Sequence, residues 1–328
     1  MTQTQSSSIG SESSSASVLL GVDLGTNHIR LGTVDPQGNV LAFRREPYTD
    51  SALASGRILA EQVLSVIKQM IDEQASAAPV KAVGIAFPGL ISQPSQRIVS
   101  LPHLPRLNET DWRAEFASSF GVPVHFDNNA NAAAFAELKS GIAQGANDFL
   151  YLHIGSNVSA GLVLGGKLQR GKSGLAGDIG EMNVYAEHLG ELVRLETMAS
   201  AKNIVRRSRE RLKRDGTSSL SRLGAMGGFT YDDIIEQAHR GDDLAKLMLN
   251  RTGTFIALAI ADIISLLNLE MIVVGGAPAG RQLLVAAIEK EAGNRTSVQA
   301  FNDCRIVAAE IGAEAGVIGA ALLAVQAT

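Results

Sequence analysis

Two stretches of this chain, far apart in sequence, repeat one plan: an apolar run, a polar glycine-bearing turn, and a second apolar run that returns. Val18–Asp23 leads through Gly25, Thr26 and Asn27 into Ile29–Asp35. Phe149–Ile154 leads through Gly155 and Ser156 into Val158–Leu164, which ends at the turn Gly165-Gly166-Lys167. Short runs of this composition bounded by turn residues read as paired strands. A repeated supersecondary unit predicts two related lobes, each presenting the turn of a hairpin. One continuous sheet is incompatible with that plan.

The segments between the hairpins fit α/β lobes. The turn Asp35-Pro36-Gln37-Gly38-Asn39 joins the second run to a third, Val40–Arg45. Leu59, Val63, Val66, Ile67, Met70 and Ile71 share one face of a long helix. Val80–Phe87 reads as a buried strand ending at Pro88-Gly89, and Met271–Val274 as another entering Gly275-Gly276. The expected division is a disordered serine-rich tail over residues 1–17, a first lobe over 18–127 and a second over 128–312. A last helix, Ala313–Val325 within 313–328, is expected to close the first lobe.

Composition removes several function classes. A chain of 328 residues, 45% hydrophobic, can bury the core of two lobes. Its net charge of −4 gives no general attraction to nucleic acid or anionic membrane. The single cysteine, Cys304, can form neither an internal disulfide nor a thiolate zinc cluster, which fits a reducing, cytoplasmic setting. The tail has neither the basic start nor the apolar stretch of a signal peptide. Phe255–Leu269 is the longest apolar run, but Asp262 interrupts it and it falls short of the ~20 residues of a span. A buried helix is expected there.

Several blocks, in order, resemble the ROK family of bacterial sugar kinases and sugar-responsive repressors. They include Gly84-Ile-Ala-Phe-Pro88-Gly89, the segment Gly121 to Glu137 around Asp127-Asn128-Asn129-Ala130-Asn131, Leu267 to Gly276, and Gly312 to Leu322. The resemblance spans roughly residues 18–325 and implies the two-lobe actin-like ATPase fold of sugar kinases. It implies a sugar site at Gly89, Asn128, Asp178 and Glu196. Nucleotide contacts would come from Asp23, Gly25, Thr26, Gly155, Ser156, Gly161, Gly275 and Gly276, with ATP and Mg²⁺ as cofactors if the protein is active. Glycine turns after strands let backbone N–H groups approach phosphate, and a strand-end Asp can hold the water shell of Mg²⁺.

The departures from the family pattern fall on the chemistry. The family's catalytic aspartate position is Asn129, an amide that can bond a hydroxyl but cannot take its proton. Thr26 and Asn27 replace a Gly and a Thr in the first phosphate turn, and Asn157 and Ser159 replace glycines in the second. Added Cβ atoms restrict φ > 0 and narrow such loops. The second turn's Asn-Val-x-Ala-Gly is closer to the repressors. Glu181 stands where the family has a zinc-ligating His, and the cysteine-rich zinc loop is absent. His188, Glu181 and Glu187 do not supply the about four ligands a zinc site needs, so no zinc is expected. The conclusion is a hexose-recognition protein with reduced or lost phosphotransfer. The alternative is an active glucokinase-like enzyme using Glu181 or Asp127 as base. If the amide is what limits catalysis, Asn129→Asp is expected to raise turnover by up to about 10²–10⁴-fold, the contribution of a placed base.

The basic cluster Lys202, Arg206, Arg207, Arg209, Arg211, Lys213 and Arg214 reads as a solvated helix end. The stretch before residue 18 is too short for the family repressors' helix-turn-helix, so direct nucleic-acid binding is not expected. No membrane association is expected, and a homo-oligomer is. Trp112 and the histidines read as packing or surface residues.

Overall fold

The structure, a computed structural model, describes residues 17–74, 78–187, 189–214, 216–276 and 280–326. The serine-rich tail through residue 16 and His188 lie outside the described residues.

The first sheet is built from β1 (Val18–Leu24), β2 (His28–Val34), β3 (Val40–Pro47) and β4 (Val80–Phe87). After a small hairpin of β5 (Leu90–Ser92) and β6 (Arg97–Ser100), it is completed by β7 (Val124–Asn128). The strand order is β3-β2-β1-β4-β7. The second sheet holds β8 (Phe149–Ile154), β9 (Val158–Leu164) and β10 (Lys167–Leu168). A hairpin of β11 (Asn183–Ala186) and β12 (Glu191–Arg194) intervenes before β13 (Met271–Gly276) and β14 (Arg305–Ala308). Its order is β10-β9-β8-β13-β14.

The two sheets share a topology. In each, the first strand of the opening hairpin is central, with its antiparallel partner and that partner's own antiparallel neighbour on one side and two parallel strands on the other. Parallel neighbours need crossovers, which here are helical. Gly56–Gln74 is one of them, burying Leu59, Ala60, Val63, Ile67 and Met70 against the first sheet. The repeated plan read from the sequence is therefore a repeated sheet, and the architecture is that of the actin-like ATPases.

The last helix, Ala315–Gln326, is wedged against β1, β4 and the helix Asn129–Ser140. Its backbone comes so close that side chains are excluded. A Cβ on Gly84 would stand 1.8 Å from the Ala320 carbonyl, and one on Gly319 would stand 1.7 Å from that of Ala132. The Asn129–Ser140 helix packs in turn on β9, where a Cβ on Gly161 would meet the Ala130 carbonyl at 2.6 Å. A helix anchored to the first sheet thus also bears on the second and fixes how the hairpin turns face each other.

Trp112 is a core residue: it stacks on Phe116, meets Phe87 edge-on and donates its indole N–H to the Leu107 carbonyl at 3.0 Å. The apolar run at 255–269 lies in the helix Asp243–Leu267 as far as Leu267, with Asn268 as the C-cap, and this helix is long and apolar enough to cross a membrane. It is instead a core helix, burying Ile256, Ala257, Ile260 and Ile264 among strands of the second sheet.

Candidate functional site

The β1–β2 and β8–β9 turns face each other across a cleft of about 480 Å³. Their tips touch: Thr26 Oγ1 and Ser156 Oγ are 3.1 Å apart. Asp23, Gly25, Thr26, Gly155, Ser156 and Gly276 all line this cleft, as does Asn129. The amides of the two named turn glycines are already used, Gly25 N–H donating to the His28 carbonyl and Gly155 N–H to that of Asn157. Gly161 and Gly275 stand elsewhere. Gly161 allows the contact between β9 and the Asn129–Ser140 helix, and Gly275 makes room for the Tyr151 hydroxyl.

Asp23, 5% exposed, is the centre of the cleft's polar network. The hairpin register sets Asp23 opposite Arg30, and the guanidinium donates to its Oδ2 at 2.9 Å. The Asn129 amide nitrogen donates to its Oδ1 and, at 3.1 Å, to the Leu24 carbonyl. Both partners can only accept, so the orientation of the amide is fixed by chemistry. Asn129 Oδ1, His28 Nε2 and Arg30 Nε are buried without hydrogen-bond partners among the described residues. Burial, followed by the Arg30 and Arg45 charges, pushes the His28 imidazole down to about 4, so it is neutral near pH 7. Arg30, Arg45 and Arg281 bring positive charge to the cleft. Arg281 is 7% exposed and donates to the carbonyls of Gly276 and Ala309. These cations suit a phosphate-bearing ligand. Mg²⁺ fits less well, because both Asp23 oxygens already accept from nitrogen donors.

Beside Asn129 the chain divides its polar residues between two tasks. Asn128 caps the following helix, its Oδ1 accepting from Asn131 N–H at 2.7 Å, while its amide NH₂ has no hydrogen-bond partner among the described residues. Strand register pairs Asn128 with Phe87, setting the Pro88-Gly89 turn alongside. Asp127 is 2% exposed, and Arg170 grips its Oδ2 at 2.8 and 3.0 Å. Its Oδ1 accepts from Asn131 and from the Asn128 backbone, both at 2.8 Å. Burial alone would raise this carboxyl, but His125, the Arg170 charge and Asn131 together hold it below its ordinary range.

The other carboxylates gather at a second group. Asp178 precedes the 3₁₀ turn Ile179–Glu181, and Glu196 sits in the short helix Leu195–Ala199 packed on it. Glu196 Oε2 accepts from Val158 N–H at 3.1 Å, and His103 Nε2 lies 3.7 Å from Oε1. Partial burial, then the negative charges of Glu181 and Glu196, raise the Asp178 carboxyl. Glu181 is exposed and paired with Arg194 at 3.1 Å. No group of three His, Cys, Asp or Glu side chains among the described residues could hold a metal ion.

Sequence reasoning missed Arg30, Arg45, Arg170, Arg281 and His103. Arg30 was within reach, since counting back from the Gly25 turn sets it across from Asp23. His103 had no spacing signal, as it meets Glu196 only through the fold.

The ROK family model matches residues 19–327. The glucokinase of Streptomyces coelicolor is 27% identical over 326 residues, covering 93% of this chain and 96% of that protein. The xylose repressor of Caldicellulosiruptor bescii is 24% identical over 311 residues, covering 92% of this chain and 76% of the repressor. A crystal structure of a ROK family glucokinase from Streptomyces griseus with glucose and AMPPNP superposes with a TM-score of 0.80 at 26% identity, covering 94% of this chain and 99% of that one. Matched by the family model over nearly its whole length, this chain belongs to the ROK family.

Proposed function

We propose that this protein recognises a hexose on a sugar-kinase scaffold whose phosphotransfer is reduced or lost. One observation carries the reading: the side chain at the base position, Asn129, donates its amide to Asp23, while Arg30 caps the same carboxylate. The position that should accept a proton is a committed donor, and the carboxylate that should face Mg²⁺ is neutralised. Loss of a general base alone removes about 10²–10⁴-fold. Asp127 is a poor substitute because its oxygens are enclosed by Arg170, Asn131 and backbone. Glu181 is open to solvent and held by Arg194.

Sugar recognition is assigned to Asn128 through its free amide NH₂, to Asp178 and Glu196, and to Gly89 at the floor. The relatives named glucokinase and xylose repressor support a sugar as the ligand. The reading includes a cytoplasmic homo-oligomer without zinc, membrane association or direct nucleic-acid contact. Its two lobes divide at residues 127 and 128.

Titration calorimetry with glucose, N-acetylglucosamine and mannose, paired with an ATP-consumption assay, tests this reading. Binding of at least one hexose with turnover far below the usual range of roughly 1–10³ s⁻¹ is expected. Turnover inside that range would establish the active-kinase alternative, with ATP and Mg²⁺ as cofactors. Failure of every hexose to bind at millimolar concentration would end the sugar reading.

A further inference from the structure

A cavity of about 780 Å³ in the second lobe shares no lining residue with the cleft around Asp23. It lies between the helix Ala201–Leu212, the helix Asp243–Leu267 and the β11–β12 hairpin. Arg207 and Arg211 are one turn apart on the first helix, and Arg214 lies about one turn beyond them. Arg251 faces them from the second helix. Among the described residues, no carboxylate forms an ion pair with any of these four. Two acids, Glu187 and Glu210, line the cavity against five arginines, these four and Arg295, and Glu210 is turned to Arg206 at 3.0 Å. The lining is therefore cationic in a chain whose net charge is −4.

Arg207 is the least ordinary member of this group. It is 8% exposed, and its Nη2 donates to Thr252 Oγ1 at 2.6 Å. Its Nε is buried with no hydrogen-bond partner among the described residues, and its guanidinium sits 5.6 Å from the Phe255 ring centroid. Buried arginines are ordinarily paired, because an uncompensated buried charge is strongly unfavourable. Burial, then the Arg206 and Arg251 charges, lowers this guanidinium to about 10, which leaves it charged at neutral pH. The solvated-helix reading of the basic cluster thus fails at Arg207. Met248, Phe255 and Leu258, on the same helix as Arg251, form an apolar wall beside it, and Tyr185 and Leu189 of the hairpin add to that wall.

We propose that this cavity binds a small organic phosphate, with the phosphate on the arginines and the organic body on the apolar wall. Its volume lies within the range of about 300–1,000 Å³ that holds small molecules. Guanidinium groups supply the planar paired donors that phosphate oxygens accept. The inference does not depend on whether the Asp23 cleft transfers phosphate.

Calorimetry on the full chain with glucose 6-phosphate, AMP and inorganic pyrophosphate tests it. One or both organic phosphates should bind, more weakly as salt rises. The double substitution Arg211→Ala with Arg251→Ala should weaken that binding about tenfold or more, since each removes a charged hydrogen-bond donor. Both side chains are exposed, so the double variant should melt like the wild type, whereas Arg207→Met risks the fold. Arg30→Ala, in the other cleft, should leave this component unchanged. Pyrophosphate should bind less tightly than the organic phosphates because it has nothing to lay on the apolar wall. Tighter pyrophosphate binding would overturn the organic ligand. The site falls if no binding component responds to the double substitution. It also falls if that variant changes only the oligomeric mass, which would mark the cavity as an interface between copies.

Discussion

At position 129 an amide is tied into the cleft's polar network. The amide of Asn129 donates to Asp23 and to the Leu24 carbonyl, so a carboxylate there would face an acid and a carbonyl where two hydrogen bonds had been. A charge-assisted hydrogen bond contributes about 1.5–3 kcal/mol. Asn129→Asp is accordingly expected to lose about 2–3 kcal/mol of stability at neutral pH, measured by urea unfolding. It should gain less than about tenfold in turnover, well short of the ~10²–10⁴ that a free base position would give. The new carboxyl, beside Asp23, would titrate above its ordinary range. A raised acid destabilises when ionised, so the deficit should be largest above that pKa and shrink as pH falls through it. A variant as stable as the wild type at every pH would refute this account of the Asp23 contact.

Among the elements, helix periodicity, apolar runs and turn residues carried most of the first sheet and the opening strands of the second. The short hairpins β5–β6 and β11–β12 escaped because strands of three or four residues are too brief to show alternation. Packing glycines and ligand glycines also look alike in sequence. Gly161 and Gly25 occupy comparable motifs, yet one accommodates a helix and the other lines a cleft. Only the third dimension separates them. The same logic predicts the cost of filling such a contact. At Gly319, a methyl group would fall 1.7 Å from the Ala132 carbonyl, and helix backbone cannot yield as a side-chain tip can. Gly319→Ala should destabilise the protein at the upper end of the about 1–3 kcal/mol of overpacking, read from the urea midpoint. Gly216→Ala, with nothing within 4 Å of the added carbon, is the control and should cost little.

Across the whole molecule, the two sheets bring together what neither lobe holds alone. The first supplies Asp23, Arg30 and Arg45 to the cleft, the second supplies His153 and Gly276, and Arg281 comes from the helix Arg281–Gly293 that follows β13. In a phosphotransferase the metal neutralises the nucleotide's phosphates and is itself held by carboxylate. Here Arg30 already occupies Asp23, and the cleft's arginines can meet a polyphosphate directly. A non-hydrolysable ATP analogue should therefore bind with nearly the same affinity in excess Mg²⁺ as in EDTA, differing by less than about tenfold, or ~1.4 kcal/mol. Arg30→Ala should reverse this. It removes one cation from the cleft and frees an Asp23 oxygen, so the analogue should bind more weakly in EDTA and regain affinity when Mg²⁺ is added. Calorimetry in the four combinations of protein and metal measures both effects. Wild-type affinity that rises about tenfold or more with Mg²⁺ would mean that Asp23 yields to the metal despite Arg30. The cleft would then hold a metal-bound nucleotide, and the departures left on the chemistry would be Asn129 and Glu181 on the sugar side.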